Sequence, residues 1–248
     1  VKRENDELNM LRKCLKEERV KFSYQPIIDR KTGGVEYYEC LLRIENHHGE
    51  YVSIGSLIEK AEAKGLANII DFTVIEMVTK ELIRNPSLVL SVNISNMGLL
   101  NKALGNKIEQ IFIEHKIAPR LIIEITETSL NHDFHNSKIF LDKLRKYGCK
   151  FALDDFGSGF TAFNQLLNLP IDIIKIDGTY IKNILDNKYN RYFVEALISM
   201  AGDLGIKTVA EYVENDAIAK FLIEAKIDSM QGHFFFPASE YKIGEISE

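Results

Sequence analysis

The chain contains no tryptophan, only three cysteines and five prolines, and no excess of positive charge. Each scarcity removes a class of function. Cys14, Cys40 and Cys149 are odd in number, widely spaced and without a CxxC pair, which argues against a disulfide framework or a zinc knuckle and fits a reducing cytoplasm. With 31 Lys and Arg against 36 Asp and Glu, the net charge is -5 and the pI about 5.8. That balance offers no basic footprint for duplex nucleic acid or an anionic membrane, although a compact nucleotide is compatible with a cation-filled pocket. No apolar run approaches the roughly 20 residues that cross a bilayer, and no signal-peptide pattern opens the chain. A soluble cytoplasmic domain without membrane contact of its own is expected. Because Val1 stands inside a highly charged segment, a longer protein with an upstream sensor or membrane anchor is also expected.

What is present suits one large core. The 248 residues are 46% hydrophobic and 27% charged. No linker rich in Pro, Gly and Ser divides them, and no internal repeat or low-complexity tract is visible. Leu8, Leu11 and Leu15 recur at three- and four-residue intervals among charges, so residues 1–20 read as an amphipathic connecting helix, with 21–248 as the domain body. Strands are expected at 21–29, 35–43, 88–94, 120–125, 150–155, 172–177, 206–211 and 227–233. Helices should fill most of the gaps, two of them around Gly65 within 56–84. The first two strands are separated only by a turn at 31–34 and read as a hairpin; after them strand and helix alternate. Repeated βα units specify a parallel sheet, and about eight strands in one chain of this length fit a closed TIM-like (β/α)8 barrel.

The segment KFALDDFGSGF at 150–160 drives two adjacent carboxylates, Asp154 and Asp155, into a glycine-containing turn. Like charges held that close either trap a proton or bind a cation, and oxygen ligands favour a hard ion such as Mg²⁺ or Mn²⁺. A solvated turn is the alternative for an isolated copy. The other strand ends decide between the two. Successive strands finish with Asn93, Glu124, Asp154–Asp155, Lys175 with Asp177, Glu211, and Gln231. In a βα barrel these ends share one mouth, so the pattern describes a divalent-metal site with a lysine beside it. Glu39 lies within a strand among residues suited to burial, and needs a cation or Arg43 beside it.

The chain is similar to the EAL domain, the cyclic di-GMP phosphodiesterase module of bacterial signalling proteins, from about Phe22 to Pro237. The motif that names the family stands here as Glu39-Cys40-Leu41. It is accompanied by YQPI at 24–27, SVNIS at 91–95, EITET at 124–128, DDFGSGF at 154–160, KID at 175–177, AEYVE at 210–214 and QG at 231–232. The resemblance implies that the barrel is irregular, with one antiparallel strand near its start. It implies one metal on Glu39, Asn93, Glu124 and Asp154, and a second on Asp154 and Asp155 with Glu211 nearby. The metals would be Mg²⁺ or Mn²⁺, two per site, and Ca²⁺ would inhibit. Lys175 and Glu211 would orient or deprotonate the attacking water, and Glu214 and Gln231 would complete the polar shell. Gln25, Leu41 and Arg43 match substrate-contacting positions, with Asp177, Gln231 and Pro237 as further candidates. Glu127 would brace the DDFG loop, whose neighbourhood forms the family's usual homodimer contact. An upstream GGDEF-type or sensor domain would be a natural partner.

Two positions depart from the family pattern. Cys40 replaces alanine and is expected to act as small hydrophobic filler. Tyr212 replaces the glycine usual between Ala210-Glu211 and Val213-Glu214. Of the histidines, neither His47-His48 nor His132 with His135 has a matching third ligand. Phe234, Phe235 and Phe236 are expected to be mainly core, with stacking on guanine as the alternative. The reaction implied is hydrolysis of cyclic di-GMP to linear pGpG. The competing function is a silent or gated cyclic di-GMP receptor that acts through protein partners.

Overall fold

Residues 2–157 and 168–243 are described by the computed structural model, with side chains of residues 1–6, 56, 59, 131 and 132 outside that description. The expected hairpin is β1 (Val20–Asp29) and β2 (Val35–Glu45), paired antiparallel from Val20↔Ile44 onward. At its turn the Asp29 carboxylate accepts from the backbone N–H groups of Lys31 and Thr32, a local bond that competes with further strand pairing. A three-residue strand, β3 (Tyr51–Ser53), extends the far end of β2. It was not expected, because three residues carry no readable period.

The alternating units follow as β4 (Leu90–Asn93), β5 (Leu121–Thr126), β6 (Lys150–Phe156), β7 (Ile173–Ile176), β8 (Lys207–Ala210) and β9 (Ser229–Met230). From β2 through β4 to β9 each neighbour is parallel, while β1 is antiparallel to both β2 and β9 and closes the ring. The result is an eight-stranded α/β barrel with one reversed strand, and β3 lies outside the ring. The expected last strand is shorter than 227–233 because the chain turns back at Gly232, whose carbonyl accepts from both Phe235 and Phe236. That turn leaves Phe234 and Phe236 largely exposed and only Phe235 against the core, which corrects their expected burial.

Helices occupy the intervals: α1 (Lys2–Lys16), α2 (Gly55–Ala63), α3 (Ala67–Arg84), α4 (Asn96–Leu99), α5 (Lys102–His115), α6 (Glu127–His132), α7 (Phe134–Arg145), α8 (Gly178–Ile181), α9 (Lys188–Asp203) and α10 (Asp216–Glu224). Side chains of Asn101, Asp133, Asn187 and Asn215 accept from the first backbone N–H groups of α5, α7, α9 and α10, so short polar residues set where those helices begin. The α1 leucines Leu8, Leu11 and Leu15 are buried with Cys14 in the main core, and α1 touches α2, α3 and β2.

Inside the barrel a second apolar layer is made by Ile27, Tyr37, Ile122, Ala152, Ile173 and Val209. Side chains two apart on a strand share a face. Each of five floor residues therefore lies one step below a polar one nearer the C-terminal end of its strand: Tyr37 below Glu39, Ile122 below Glu124, Ala152 below Asp154, Ile173 below Lys175 and Val209 below Glu211. In reversed β1 the order inverts, and Gln25 precedes Ile27.

The exit of β4 is tied to α3. Asp71, buried on α3, accepts from Ser95 through its backbone N–H at 3.0 Å and its hydroxyl at 2.6 Å. Ser95 in turn caps α4. Burial pushes Asp71 up to about 6, with the Ser95 bonds opposing it.

Two outcomes follow from this packing. Leu11→Ala should lower the unfolding free energy by about 2–5 kcal/mol, the range for emptying a filled core site, as measured by urea denaturation. Asp71 has a folded pKa above its unfolded one, so its favourable contribution is complete below about pH 4 and is lost as pH rises through about 6. Between pH 4 and 7 wild type should therefore lose about 2–3 kcal/mol relative to Asp71→Asn. Parallel stability curves for the two proteins would contradict that origin.

Candidate active site

The polar layer above the barrel floor converges on one ammonium. Lys175 Nζ lies 2.7 Å from Glu124 Oε2, 2.8 Å from Glu211 Oε1, 3.0 Å from Asp154 Oδ1 and 3.2 Å from Glu39 Oε2. Lys175 and Glu124 are sealed from solvent, and Glu39 and Gln231 nearly so. Glu39 also accepts from Asn93 Nδ2 at 2.9 Å and from Gln231 Nε2 at 2.7 Å. The alternative Glu39–Arg43 ion pair does not form. Four residues along a strand separate two side chains by about 13 Å, and Arg43 instead donates to the carbonyl of Leu42.

Asp155 reaches the same centre by a backbone exception. Neighbours on a regular strand point to opposite faces. Here the register with β7 slips between Leu153 and Phe156, and Asp155 adopts a left-handed φ of 53°. Oxygens of Asp154, Asp155 and Glu211 consequently lie within 4.8 Å of one another, as do those of Glu39, Glu124 and Asp154. Neither group contains a histidine, and His47, His48 and His135 are exposed. The side chain of His132 falls outside the described residues.

Five carboxyl groups crowd one ammonium, more acid than it can neutralise unless some of them hold a proton. Burial and the neighbouring Glu39 push Glu124 up to about 8, with Lys175 opposing. Burial also drives Glu211 well above the usual carboxylate range, and burial with Asp154 raises Asp155 to about 6. Burial favours the neutral form of Glu39 too, but Lys175 and the donors on Gln231 and Asn93 overcome it and hold that carboxyl low. For Lys175 burial opposes the charge, and the surrounding acids outweigh it and keep the ammonium protonated.

A divalent cation fits this donor set. Glu124 Oε1, Asp154 Oδ1 and Gln231 Oε1 are buried and have no hydrogen-bond partner; Asp154 Oδ1 is near the ammonium but outside hydrogen-bonding direction. Buried acceptors in that condition are costly unless something positive satisfies them. The available donors are oxygens, the preference of hard ions.

Two cavities flank the cluster. One, of about 360 Å³, is lined by Gln25, Asp177, Glu214 and Gln231 together with Glu39 and Glu211. The other, of about 600 Å³, is lined by Leu41, Arg43, Asn93, Asp154 and Asp155. The expected substrate contacts are thus split between two sides of the metal-ligand candidates. Asp177 has a structural task as well, accepting from Thr179 N to start α8. Pro237 is exposed and lines neither cavity, so the structure does not bring it to the others.

Behind the acids, Gly157 is gripped from both sides. Its N–H donates to Glu127 Oε2 at 3.1 Å, and its carbonyl accepts from Tyr180 Oη at 2.8 Å. Tyr180 is stacked on Phe193 with ring centroids 4.2 Å apart. Gly157 has φ 99°, and a Cβ there would lie 2.6 Å from the Tyr180 ring, so only glycine fits. Sequence reasoning found Glu127 but missed Tyr180 and Phe193, which carry no local signal beyond being aromatic. It also missed Asp71. The rest of the motif, 158–160, falls outside the described residues, as does most of the adjoining segment expected to form the dimer contact.

Cys40 is buried, and burial with the Glu39 charge raises its thiol far above the reactive range, as filler requires. Tyr212 stands at φ 58°, the left-handed region in which the family's usual glycine has no steric penalty.

Known proteins similar to this chain in sequence and fold include two named phosphodiesterases and two solved structures. The chain is 31% identical over 231 residues to the cyclic di-GMP phosphodiesterase PdeF of Escherichia coli, covering 91% of this chain and 31% of that protein. It is 33% identical over 236 residues to the cyclic di-GMP phosphodiesterase PdeB of Shewanella oneidensis, covering 89% and 26%. It spans about a third or less of the length of these relatives. Among solved structures, the PaMucR phosphodiesterase in complex with c-di-GMP superposes with a TM-score of 0.85 at 26% identity, covering 94% of this chain and 96% of that one. The FimX EAL domain of Pseudomonas aeruginosa, bound to c-di-GMP, shares the fold with a TM-score of 0.86 at 24% identity, over 94% and 96%. The family profile described as the EAL domain matches residues 8–238, and the chain belongs to that family.

Proposed function

We propose that this domain hydrolyses one phosphodiester bond of cyclic di-GMP to give linear pGpG, using Mg²⁺ or Mn²⁺, two per site. The observation that carries the reading is the ring of Glu39, Glu124, Asp154 and Glu211 around Lys175, with Asp155 and Asn93 at its edges. Glu39, Asn93, Glu124 and Asp154 would hold one cation, and Asp154, Asp155 and Glu211 the other. When bound, such a pair of ions supplies an acidified water and a clamp on the phosphodiester oxygens.

The chain's own groups divide the remaining work. Lys175 is held protonated, so it serves as a fixed charge and donor beside the phosphate and not as the base. Of the two positions expected to handle water, Glu211, 2.8 Å from Lys175, is the carboxylate and so the one that can accept a proton. Gln231 and Asn93 hold Glu39 in place through their amide N–H groups. Arg43 and Leu41 on one side and Gln25 and Asp177 on the other line the space for the two halves of the nucleotide. Glu127 fixes the loop that carries Asp154 and Asp155.

Several broader assignments belong to the same reading. Residues 1–20 serve as a connecting helix to an upstream sensor or GGDEF-type domain, and 21–248 form the catalytic body. The domain dimerises through the neighbourhood of the DDFG loop and works in the cytoplasm. Among the described residues no helix is long and apolar enough to cross a membrane.

Cyclic di-GMP incubated with the purified chain in Mg²⁺ or Mn²⁺ should yield pGpG by chromatography, whereas Ca²⁺ should support binding with little turnover. Glu39→Ala should lower kcat by at least about 100-fold, the scale of losing a group that acts only with the reacting centre, and Cys40→Ala should change it by less than about threefold. Tight binding without turnover in any metal would replace the enzyme with a gated receptor, and absence of both would discard the reading. Metal should also stabilise the fold, by about 2.7 kcal/mol at 100 times its Kd, and the gain measured by thermal unfolding should be reversed by a chelator and diminished in Glu39→Ala.

A further inference from the structure

The cavity shared by Glu39, Glu211 and Gln231 is also lined by Asp177 and Glu214, so carboxylates dominate it. An anionic substrate entering that space meets repulsion unless a cation is built into the wall. Lys182 is the only lysine or arginine among the described residues that line it. Its side chain is exposed, and no carboxylate among the described residues pairs with it. Its ammonium instead stands 3.8 Å from the centroid of the Tyr212 ring. A cation over an aromatic face is held by the ring quadrupole without losing its charge, and so remains able to bind an anion.

The surrounding backbone is shaped for this pair. Tyr212 holds a left-handed φ of 58°, a conformation that a Cβ makes unfavourable. Its ring projects from the loop directly after Glu211 and is 43% exposed on the cavity wall. Room for it comes from Gly178, where an added Cβ would lie 2.7 Å from Tyr212 Cβ. Gly178 opens α8, whose first turn is fixed by Asp177, and Lys182 stands at the other end of the same short helix. Elements far apart in the sequence, at 177–182 and 211–214, are thus fitted together around one cation on the rim.

We propose that Lys182, positioned by the Tyr212 ring, binds a phosphate of the cyclic dinucleotide on the side of the mouth opposite Arg43, and thereby sets substrate affinity without taking part in bond breaking. This rests on the phosphodiesterase reading of the same site. Lys182 supplies the binding charge, and Tyr212 acts through Lys182 as a positioning residue.

The test measures KM and kcat for cyclic di-GMP, and Kd in Ca²⁺, for wild type, Lys182→Ala, Lys182→Arg, Tyr212→Gly and Lys182→Ala/Tyr212→Gly, each checked for folding by thermal unfolding. Lys182→Ala should raise KM and Kd about tenfold, the effect of losing one charge-assisted contact, with kcat within about twofold. Lys182→Arg should restore most of the affinity. Raising ionic strength from about 0.05 to 0.5 M should weaken wild type more than Lys182→Ala, because the lost contact is a screened surface charge. Tyr212→Gly should raise KM part of the way, and the double variant should bind no worse than Lys182→Ala. Unchanged KM and Kd in Lys182→Ala would overturn the proposal while wild-type turnover left the enzyme reading standing. A double variant much weaker than Lys182→Ala would overturn the positioning role, assigning Tyr212 a direct contact such as base stacking. A wild type that neither binds nor hydrolyses cyclic di-GMP would remove the function and this inference together.

Discussion

Everything in the mouth of this barrel depends on placing several carboxylates out of water beside one ammonium. An isolated buried carboxylate costs several kcal/mol and normally escapes by taking a proton. Lys175, which approaches Glu39, Glu124, Asp154 and Glu211 at once, opposes that escape and with Gln231 and Asn93 holds Glu39 low, but it does not outweigh burial at Glu124 and Glu211. One positive charge cannot satisfy the whole group, and burial, with the neighbouring acids adding to it, pushes Glu124, Glu211 and Asp155 upward. The site carries a stored demand for further positive charge. That demand connects the stability of the fold to its chemistry, since a cation that satisfies the buried oxygens also strengthens the structure that holds them.

The barrel makes such a concentration of charge tolerable by stacking it on an apolar floor. A two-residue period sets Ile122, Ala152, Ile173 and Val209 directly beneath Glu124, Asp154, Lys175 and Glu211. The floor keeps water from reaching the cluster from below, so electrostatic interactions remain strong. Outside the ring, the opposite faces of the same strands pack on helices, with Tyr38, Cys40, Leu42 and Ile44 of β2 in the main core. The same alternation therefore supplies the stabilising burial and the inward-facing chemistry.

Around this centre the strand exits are braced by side-chain hydrogen bonds. Asp71 ties α3 to Ser95 after β4, and Glu127 with Tyr180 holds the Gly157 peptide after β6. Asp177 begins α8 after β7. Each brace converts a loop, which would otherwise sample many conformations, into a fixed platform for the acid or cation beside it. Metal and phosphate sites in general tolerate displacements of only a fraction of an ångström, so such supports bear on the candidate site as directly as its ligand candidates do.

Much of this was already legible in the chain. Apolar runs alternating with amphipathic segments specified the strands and helices, and a polar residue closing each run placed Asn93, Glu124, Asp154, Lys175, Glu211 and Gln231 on one rim. Those readings succeed because periodicity and strand ends are local properties of the chain. Tertiary structure alone decided that Lys175, not Arg43, attends Glu39, because that choice depends on distance across the barrel. It also turned Asp155 back toward Asp154 by a left-handed φ, exposed Phe234 and Phe236 by ending β9 early, and set Lys182 over Tyr212. Backbone exceptions and contacts between distant segments arise when the ring closes, and leave no periodic trace in the order of residues.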